Sequence, residues 1–263
     1  MEARVFDRIV KELAGSDAPR AALHRLAEEW PEYVVPYETL VAIYTQTYQL
    51  QTRMRMHVHK RQTNIDSYVQ RYQEGEELIS IAKSIDLAPC LLARIILRET
   101  LSMSPKDITQ CLREPALVDD ERLRNQLVRC VESDEHYSPS SERIRSALGL
   151  EYEFVLYESL FNTGVPFDSE DDLRREGRPK TPDVRLRSPI AVRGRIVNWI
   201  DSKAMFGDVR TLADCQNQVR GYVHRYGPGM IIFWFGYVQE VDSDPDIILS
   251  HGFPDLNDVK CVC

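Results

Sequence analysis

"TPDVRLRSPIAVRGRIVNWIDSKA", residues 181–204, decides how the rest of the chain is read. Two strand-like runs, PDVRLRSPIAV and RGRIVNWIDSK, predict a strand pair turning near Arg193-Gly194. Side chains at i and i+2 of a strand face the same way, so Asp201 and Lys203 share a face and Ser202 takes the other. Asp183 meets them if the hairpin returns its start alongside the end of the next strand. An unpaired buried carboxylate is costly, so three charges placed here need partners. They satisfy each other as a salt bridge, or the two carboxylates hold a divalent cation and leave the ammonium for a phosphate or a water. Hard oxygen ligands in small number suit Mg²⁺ or the similar Mn²⁺. A metal so placed lowers the pKa of a bound water and neutralises charge on phosphorus. Lys203 then orients or helps deprotonate that water, or steadies the developing charge.

Working outward, the order after about residue 140 is helix, two or three strands, helix, strand. "SSERIRSALGLEYEFVLYESLFNTG" reads as a helix pair or one bent helix stopped at Gly164. "DSEDDLRREGRPK" reads as a charged surface segment, "TLADCQNQVRGYVHRYGPG" as a helix closed by Gly-Pro-Gly, and "MIIFWFGYV" as a fully buried strand. Asp208 is expected to cap the second helix. Trp199 and Trp234 are expected in the core. His224 lies about two turns beyond Gln218 and is weighed as a surface residue against a site residue. Arg193, Arg195 and Arg210 flank the hairpin and are weighed as phosphate contacts against plain solvated side chains.

The pair Pro182-Asp183 with Asp201-Ser202-Lys203 is similar to the PD-(D/E)XK nuclease signature, whose core runs helix, three strands, helix, strand. That superfamily places a glutamate on its first helix. "EYE" at 151–153, followed by "LFNTG" at 160–164, matches that setting, with Glu153 the best candidate and Glu151 in reserve. "QVRGY" at 218–222 resembles the QxxxY element of several branches, in which the glutamine, here Gln218, helps position metal or substrate. Gln216, two residues away, is the alternative inward residue. More closely still, Thr-Pro-Asp at 181–183 with "WIDSKAMFGD" and "RYGPGMIIFWFGYVQE" resembles the TPD-motif family of codanin-interacting nucleases, over the whole chain. The resemblance implies a nuclear and cytoplasmic protein that binds codanin and is linked to chromatin assembly and red-cell development. It also implies Glu153, Asp183 and Asp201 as ligands of Mg²⁺ or Mn²⁺, with Lys203 and Gln218 completing the catalytic set and DNA, branched or otherwise structured, as the substrate. The family often has Glu where this chain has the shorter Asp201.

The first half has no strand-like alternation. "PRAALHRLAEEW" and "PYETLVAIYTQTYQLQTRMRMHVHKRQ" carry apolar residues at helical spacing, and "SPKDI" at 104–108 has a Ser cap followed by Pro in the first helical position. Glu76 to Leu101 resembles a helix-turn-helix, with Asp86 taking the left-handed turn position. Its outward candidates are Cys90, Ala93, Arg94, Leu97 and Arg98, only two of them polar, which is poor equipment for reading base edges. "RMRMHVHKR", residues 53–61, is a solvated helix face or a phosphate-contacting strip. "CVESDEHYSPSSERI" reads as a linker. The expected fold class is therefore α/β: an all-helical part with a helix-turn-helix-like segment over 1–140, then a PD-(D/E)XK restriction-endonuclease-like core with a mixed sheet over 141–263.

The net charge of −8 argues against a protein coated in nucleic acid by bulk electrostatics, though not against local contacts. No run is long enough to span a bilayer, and the mixed-charge start suits an amphipathic helix better than a secretory signal. Six scattered cysteines without a CxxC pair suit reduced thiols; the terminal Cys-Val-Cys is a weak candidate for a soft metal. Two other readings stay open: a nuclease fold kept for binding codanin without catalysis, and a helix-turn-helix regulator. A homodimer is expected only by analogy with junction-cutting relatives of the fold.

Overall fold

The computed structural model of the protein describes residues 1–14, 19–29, 35–241, 244–255 and 258–261. The chain divides into two compact units, one made of Met1–Tyr44 with Leu148–Cys263 and the other of Thr45–Ala147. This differs from a single division at residue 140, because the first helices cluster with the sheet. Helix α1 (Ala3–Ala14) is amphipathic, as its sequence predicts, and α2 (Pro19–Glu29) follows it. Val5, Ile9 and Leu13 of α1 share one core with Phe206 and Val238, and the Phe6 ring stacks on Phe206 with centroids 5.5 Å apart. The Met1 ammonium donates to the Tyr237 carbonyl at 2.9 Å.

In the unit Thr45–Ala147 the chain continues along α3 (Tyr37–His59) into α4 (Gln62–Gln73), α5 (Leu78–Ser84), α6 (Pro89–Leu101), α7 (Pro105–Arg113) and α8 (Glu121–Ser133). The Ser104 hydroxyl accepts the N–H of Asp107 and Pro105 opens α7, as expected. Helices α5 and α6 and their turn are present, with Asp86 in the left-handed region at φ 52°. Of the outward face expected of α6, Arg98 is exposed and pairs with Glu99 at 2.8 Å, but the apolar members are not outward. Cys90, Ala93 and Leu97 are buried together with Leu92, Ile95 and Ile96, and Arg94 donates to Thr109 at 3.3 Å. A helix apolar nearly all round is enclosed by its neighbours, and this one is the centre of its unit.

The basic run 53–61 is also mixed. Arg53, Arg55, His57, Lys60 and Arg61 are exposed, but Arg55 is ion-paired with Asp86. His59 is buried with Nδ1 3.0 Å from the Tyr68 hydroxyl, and burial, then Arg55, push its pKa down. The expected linker is folded. Buried Asp134 accepts the peptide N–H groups of His136 at 2.9 Å, Tyr137 at 2.7 Å and Cys90 at 2.9 Å. The Ser138 hydroxyl accepts the N–H of Ser141, and α9 (Pro139–Thr163) begins within the Ser/Pro cluster. These polar residues cap helices instead of loosening the chain.

The sheet unit takes up α9, which runs unbroken to Gly164, and continues through β1 (Phe167–Ser169), α10 (Glu170–Arg175), β2 (Val184–Val192), β3 (Arg195–Lys203), α11 (Val209–Tyr226), β4 (Gly229–Phe233), β5 (Ile247–Ser250) and β6 (Val259–Cys261). The sheet is mixed, in the order β1-β2-β3-β4-β5, with β6 also on β2. β1, β2, β3 and β6 pair antiparallel, whereas β3, β4 and β5 run parallel. This is the expected α/β class: a helical first part followed by helix, strands, helix, strand.

Arg193 and Gly194 form the turn between β2 and β3, both at positive φ (50° and 77°), as a type I′ turn demands. Pairing is regular from Val192↔Arg195 to Ile190↔Val197 and resumes at Arg185↔Trp199. The irregular stretch between contains Pro189, which has no N–H to give a ladder. Leu156 and Leu160 of α9 share a core with Val184, Ile200, Met230 and Ile232, while Val219 and Tyr222 of α11 share another with Trp199, Ile231 and Phe233.

Among the described residues, Cys90, Cys111, Cys130 and Cys215 are free thiols, and no helix is long and apolar enough to cross a membrane. The thiols of Cys261 and Cys263 lie outside what is described.

Candidate active site

Asp183 stands immediately before β2, and the pairing Val184↔Ile200 sets it opposite Asp201 on β3. The Ser202 N–H donates to Asp183 Oδ2 at 2.6 Å, which ties the two strand ends together through a side chain. On the same face of β3 the Lys203 ammonium lies 2.6 Å from Asp201 Oδ2. Asp201 is 1% exposed, whereas Lys203 is 22% exposed and so opens the group to solvent. That ammonium is the close partner of the buried Oδ2, and it shares its charge with the second carboxyl group, Asp183. The turn before β2 is anchored from two sides. The Tyr222 hydroxyl of α11 donates to the Thr181 carbonyl at 2.8 Å. Glu170, at the start of α10, gives its N–H to the Asp183 carbonyl at 2.9 Å and accepts the Thr181 hydroxyl at 3.2 Å. From the other side of β3, the Trp234 indole donates to the Ser202 hydroxyl at 2.8 Å.

The electrostatics follow from burying acids together. Burial, then the neighbouring Asp201 charge, pushes the Asp183 pKa up against the opposing Ser202 N–H and Lys203. Burial likewise raises Asp201, opposed by the Lys203 ammonium. For Lys203, burial works against the charge, but Asp201 and Asp183 outweigh it and its pKa rises. Glu153 on α9 feels the same group: burial raises its pKa first, followed by Glu170 and Asp201, with Lys203 opposing. One ammonium therefore serves several crowded carboxyl groups, and their burial and mutual repulsion favour the protonated forms.

The signature "TPD" at 181–183 thus lies at the hub of this group. Residues 119–253 match the protein family described as "Protein of unknown function TPD sequence-motif". The chain belongs to this TPD-motif family. It is 35% identical to a Bos taurus protein over 98% of this chain and 96% of that one, and 35% identical to a Homo sapiens protein over 95% and 94%. A Danio rerio protein is 37% identical over 87% of this chain and 81% of its own. All three relatives are named CDAN1-interacting nuclease 1. No solved structure matches the chain.

In this TPD-motif chain Asp183, Asp201 and Lys203 come together, and Glu153 lies within their field. Among the described residues, no three His, Cys, Asp or Glu side chains are already grouped as a metal cage. Gln218 is exposed and donates to the Tyr222 hydroxyl at 2.6 Å, so it reaches the turn of the motif through Tyr222. Gln216 and Glu151 are exposed. Asp208 caps α11 by accepting the Thr211 N–H at 2.7 Å, and Trp199 is fully buried, both as expected.

Trp234 lies in the turn beyond β4 and not in a strand; it is half-buried and stacks on Tyr152 at 5.0 Å. His224 and Arg210 are exposed on α11, and Arg193 is exposed at the hairpin tip. Arg195 is committed elsewhere, donating to the carbonyls of Asp244, Pro245 and Ile247. Local sequence does not mark Glu170, Thr181 and Tyr222 as site residues, although Thr181 and Tyr222 sit inside the Thr-Pro-Asp and QxxxY motifs. Glu170 hides in a charged segment that reads as surface.

Proposed function

We propose that the protein is a divalent-metal-dependent nuclease that hydrolyses phosphodiester bonds in DNA, branched or otherwise structured, in association with CDAN1 (codanin). The observation that carries this reading is the meeting of Asp183, Asp201 and Lys203 at adjacent strand ends, with Asp201 buried and one ammonium serving both carboxyl groups. The names of the relatives support both the nuclease and the CDAN1 halves. Mg²⁺ or Mn²⁺ fits the donors present: hard carboxylate oxygens from Asp201 and Asp183, with Glu153 on the neighbouring helix. When bound, such an ion supplies Lewis-acid polarisation of a phosphate and acidifies a water. Lys203, partly open to solvent, is placed to donate to the phosphate or to orient the attacking water. Asp183 is held in place by the Ser202 N–H, and Glu170 and Tyr222 brace its turn. A protein of this function would work in nucleus and cytoplasm.

The test is a cleavage screen over single-stranded, duplex, flap and four-way DNA, and RNA, with Mg²⁺ or Mn²⁺. Cutting that disappears in Asp183→Asn and Lys203→Ala, with both variants folded, is the expected result. CDAN1 binding without cutting of any substrate under either metal would leave the second reading, a nuclease fold kept for protein interaction. That reading draws support from the exposed apolar residues of α9.

A further inference from the structure

Helix α9 carries an apolar strip that the described protein leaves uncovered. Leu150, Phe154 and Phe161 are 67%, 60% and 75% exposed, while Leu156 and Leu160 on an adjoining side of the helix are fully buried. With Tyr157, the strip follows the 4-3-4 spacing of the a and d positions of a heptad, which lines these side chains along one side of a helix. Its floor is fixed: Tyr157 stacks on Phe167 at 5.5 Å and Phe161 meets the same ring edge-on at 5.6 Å.

The charges beside the strip state what covers it. Glu151 and Glu158 occupy the flanking e positions and both are exposed. No Lys or Arg occurs between Arg145 and Arg174. A second copy docking strip to strip would bring acid beside acid when antiparallel and would gain no opposite charge when parallel. A phosphate backbone would meet the same acids. An amphipathic helix with an apolar seam flanked by Lys or Arg satisfies both the exposed rings and the glutamates.

We propose that Leu150, Phe154 and Phe161 form the docking strip for such a basic-flanked amphipathic helix of a protein partner. The inference rests on the CDAN1 half of the proposed function, with CDAN1 as the bearer of that helix. The full chain is titrated with CDAN1 of its own species. Phe154→Ala with Phe161→Ala weakens binding about thirtyfold or more, the scale of a hot-spot loss, and Glu158→Lys weakens it less. Val209→Ala, an exposed apolar control on another helix, binds as wild type. Unchanged melting temperatures show that the variants fold. Equal binding by wild type and the double variant overturns the proposal.

Absence of wild-type binding instead overturns the CDAN1 half of the functional reading. The strip is then judged with two synthetic helices bearing Leu at a and d and either Lys or Glu at e and g. Preference for the Lys peptide, lost in the double variant, supports it; no preference overturns it. Self-association in sedimentation, or single-stranded DNA binding, that the double variant abolishes would assign the strip to a second copy or to nucleic acid and overturn it as well.

Discussion

Asp183 accepts the Ser202 N–H at 2.6 Å, so the acid that precedes one strand is held by the peptide between the acid and the lysine of the next. The bond spends a carboxylate oxygen on positioning. It also takes the N–H of Ser202, whose own hydroxyl is held by Trp234, so the group is fixed from both sides of β3. Asp201 and Lys203 are therefore built into the sheet and Asp183 is tied to it from the turn before β2, so the integrity of the site is open to measurement by folding as well as by activity.

The ion pair of Lys203 with Asp201 gives the first prediction. Lys203→Ala leaves a fully buried carboxylate without its counter-charge, and urea unfolding should show a loss of about 1–3 kcal/mol. The lysine is partly solvated, which keeps the loss below that of breaking a fully buried pair. Asp201→Asn combined with Lys203→Met should recover most of that stability while leaving DNA uncut. If the double variant is no more stable than Lys203→Ala, the pair is not the source of the loss.

The second prediction concerns pH. Asp183, Asp201 and Glu153 have raised pKa values, so between the ordinary carboxylate range and their folded values the native state holds more protons than the unfolded chain. Stability contributed by these groups is then full below about pH 4 and is lost as pH rises through the folded values. The metal-free protein should lose stability from this source on going upward from mildly acid pH, and Asp183→Asn should flatten the slope. Mg²⁺ or Mn²⁺ should raise the melting temperature most at the alkaline end, where ligands need not be deprotonated first. Thermal melts at several pH values with and without metal measure both effects.

A third prediction follows from the brace on the Thr-Pro-Asp turn. Tyr222→Phe removes the donor to the buried Thr181 carbonyl and strands Gln218, at a cost of about 1–3 kcal/mol. Because the turn positions Asp183, cleavage should fall further than stability alone explains. Gln218→Ala should do less on both counts, since its side chain is exposed and acts through Tyr222. Comparing cleavage rates with unfolding free energies separates positioning from simple folding.

Local chemistry explains which parts of this architecture were legible in the sequence. The Arg193-Gly194 turn, the Asp208 and Ser104 caps and the shared face of Asp201 and Lys203 depend on neighbours a few residues apart, and each is present. Glu170 and Tyr222 reach the motif across distant sequence, 11 and 41 residues from Thr181, and no local pattern announces such contacts. Cys90, Ala93 and Leu97 read as a weakly apolar exterior of α6, but neighbouring helices bury them and leave Arg98, Glu99 and Leu101 near its end exposed. The Ser/Pro cluster near 140 has the composition of a linker, but its hydroxyls and Asp134 are consumed in capping. The apolar side of α1 likewise finds its partners in Phe206 and Val238, more than half the chain away, beyond the reach of any local pattern.

The last prediction tests the platform beneath the acids. Trp199 lies on the same face of β3 as Asp201 and is fully buried, with its indole N–H donated to the Gly227 carbonyl at 2.8 Å. Gly229 lies directly against that ring: a Cβ there would stand 2.1 Å from the indole, a rigid group with no flexible end to swing aside. Gly229→Ala should therefore cost about 1–3 kcal/mol by overpacking, or more if the ring cannot shift. Trp199→Phe alone should also destabilise, since it opens a cavity and leaves the Gly227 carbonyl without its donor. Combined, the smaller ring vacates the space the new methyl needs, so the double variant should be more stable than the sum of the two losses allows. A favourable coupling in the double-mutant cycle locates the strain at this contact, and additive losses would place it elsewhere. Cleavage by the double variant should return with its stability, because neither residue touches the carboxylates or the lysine.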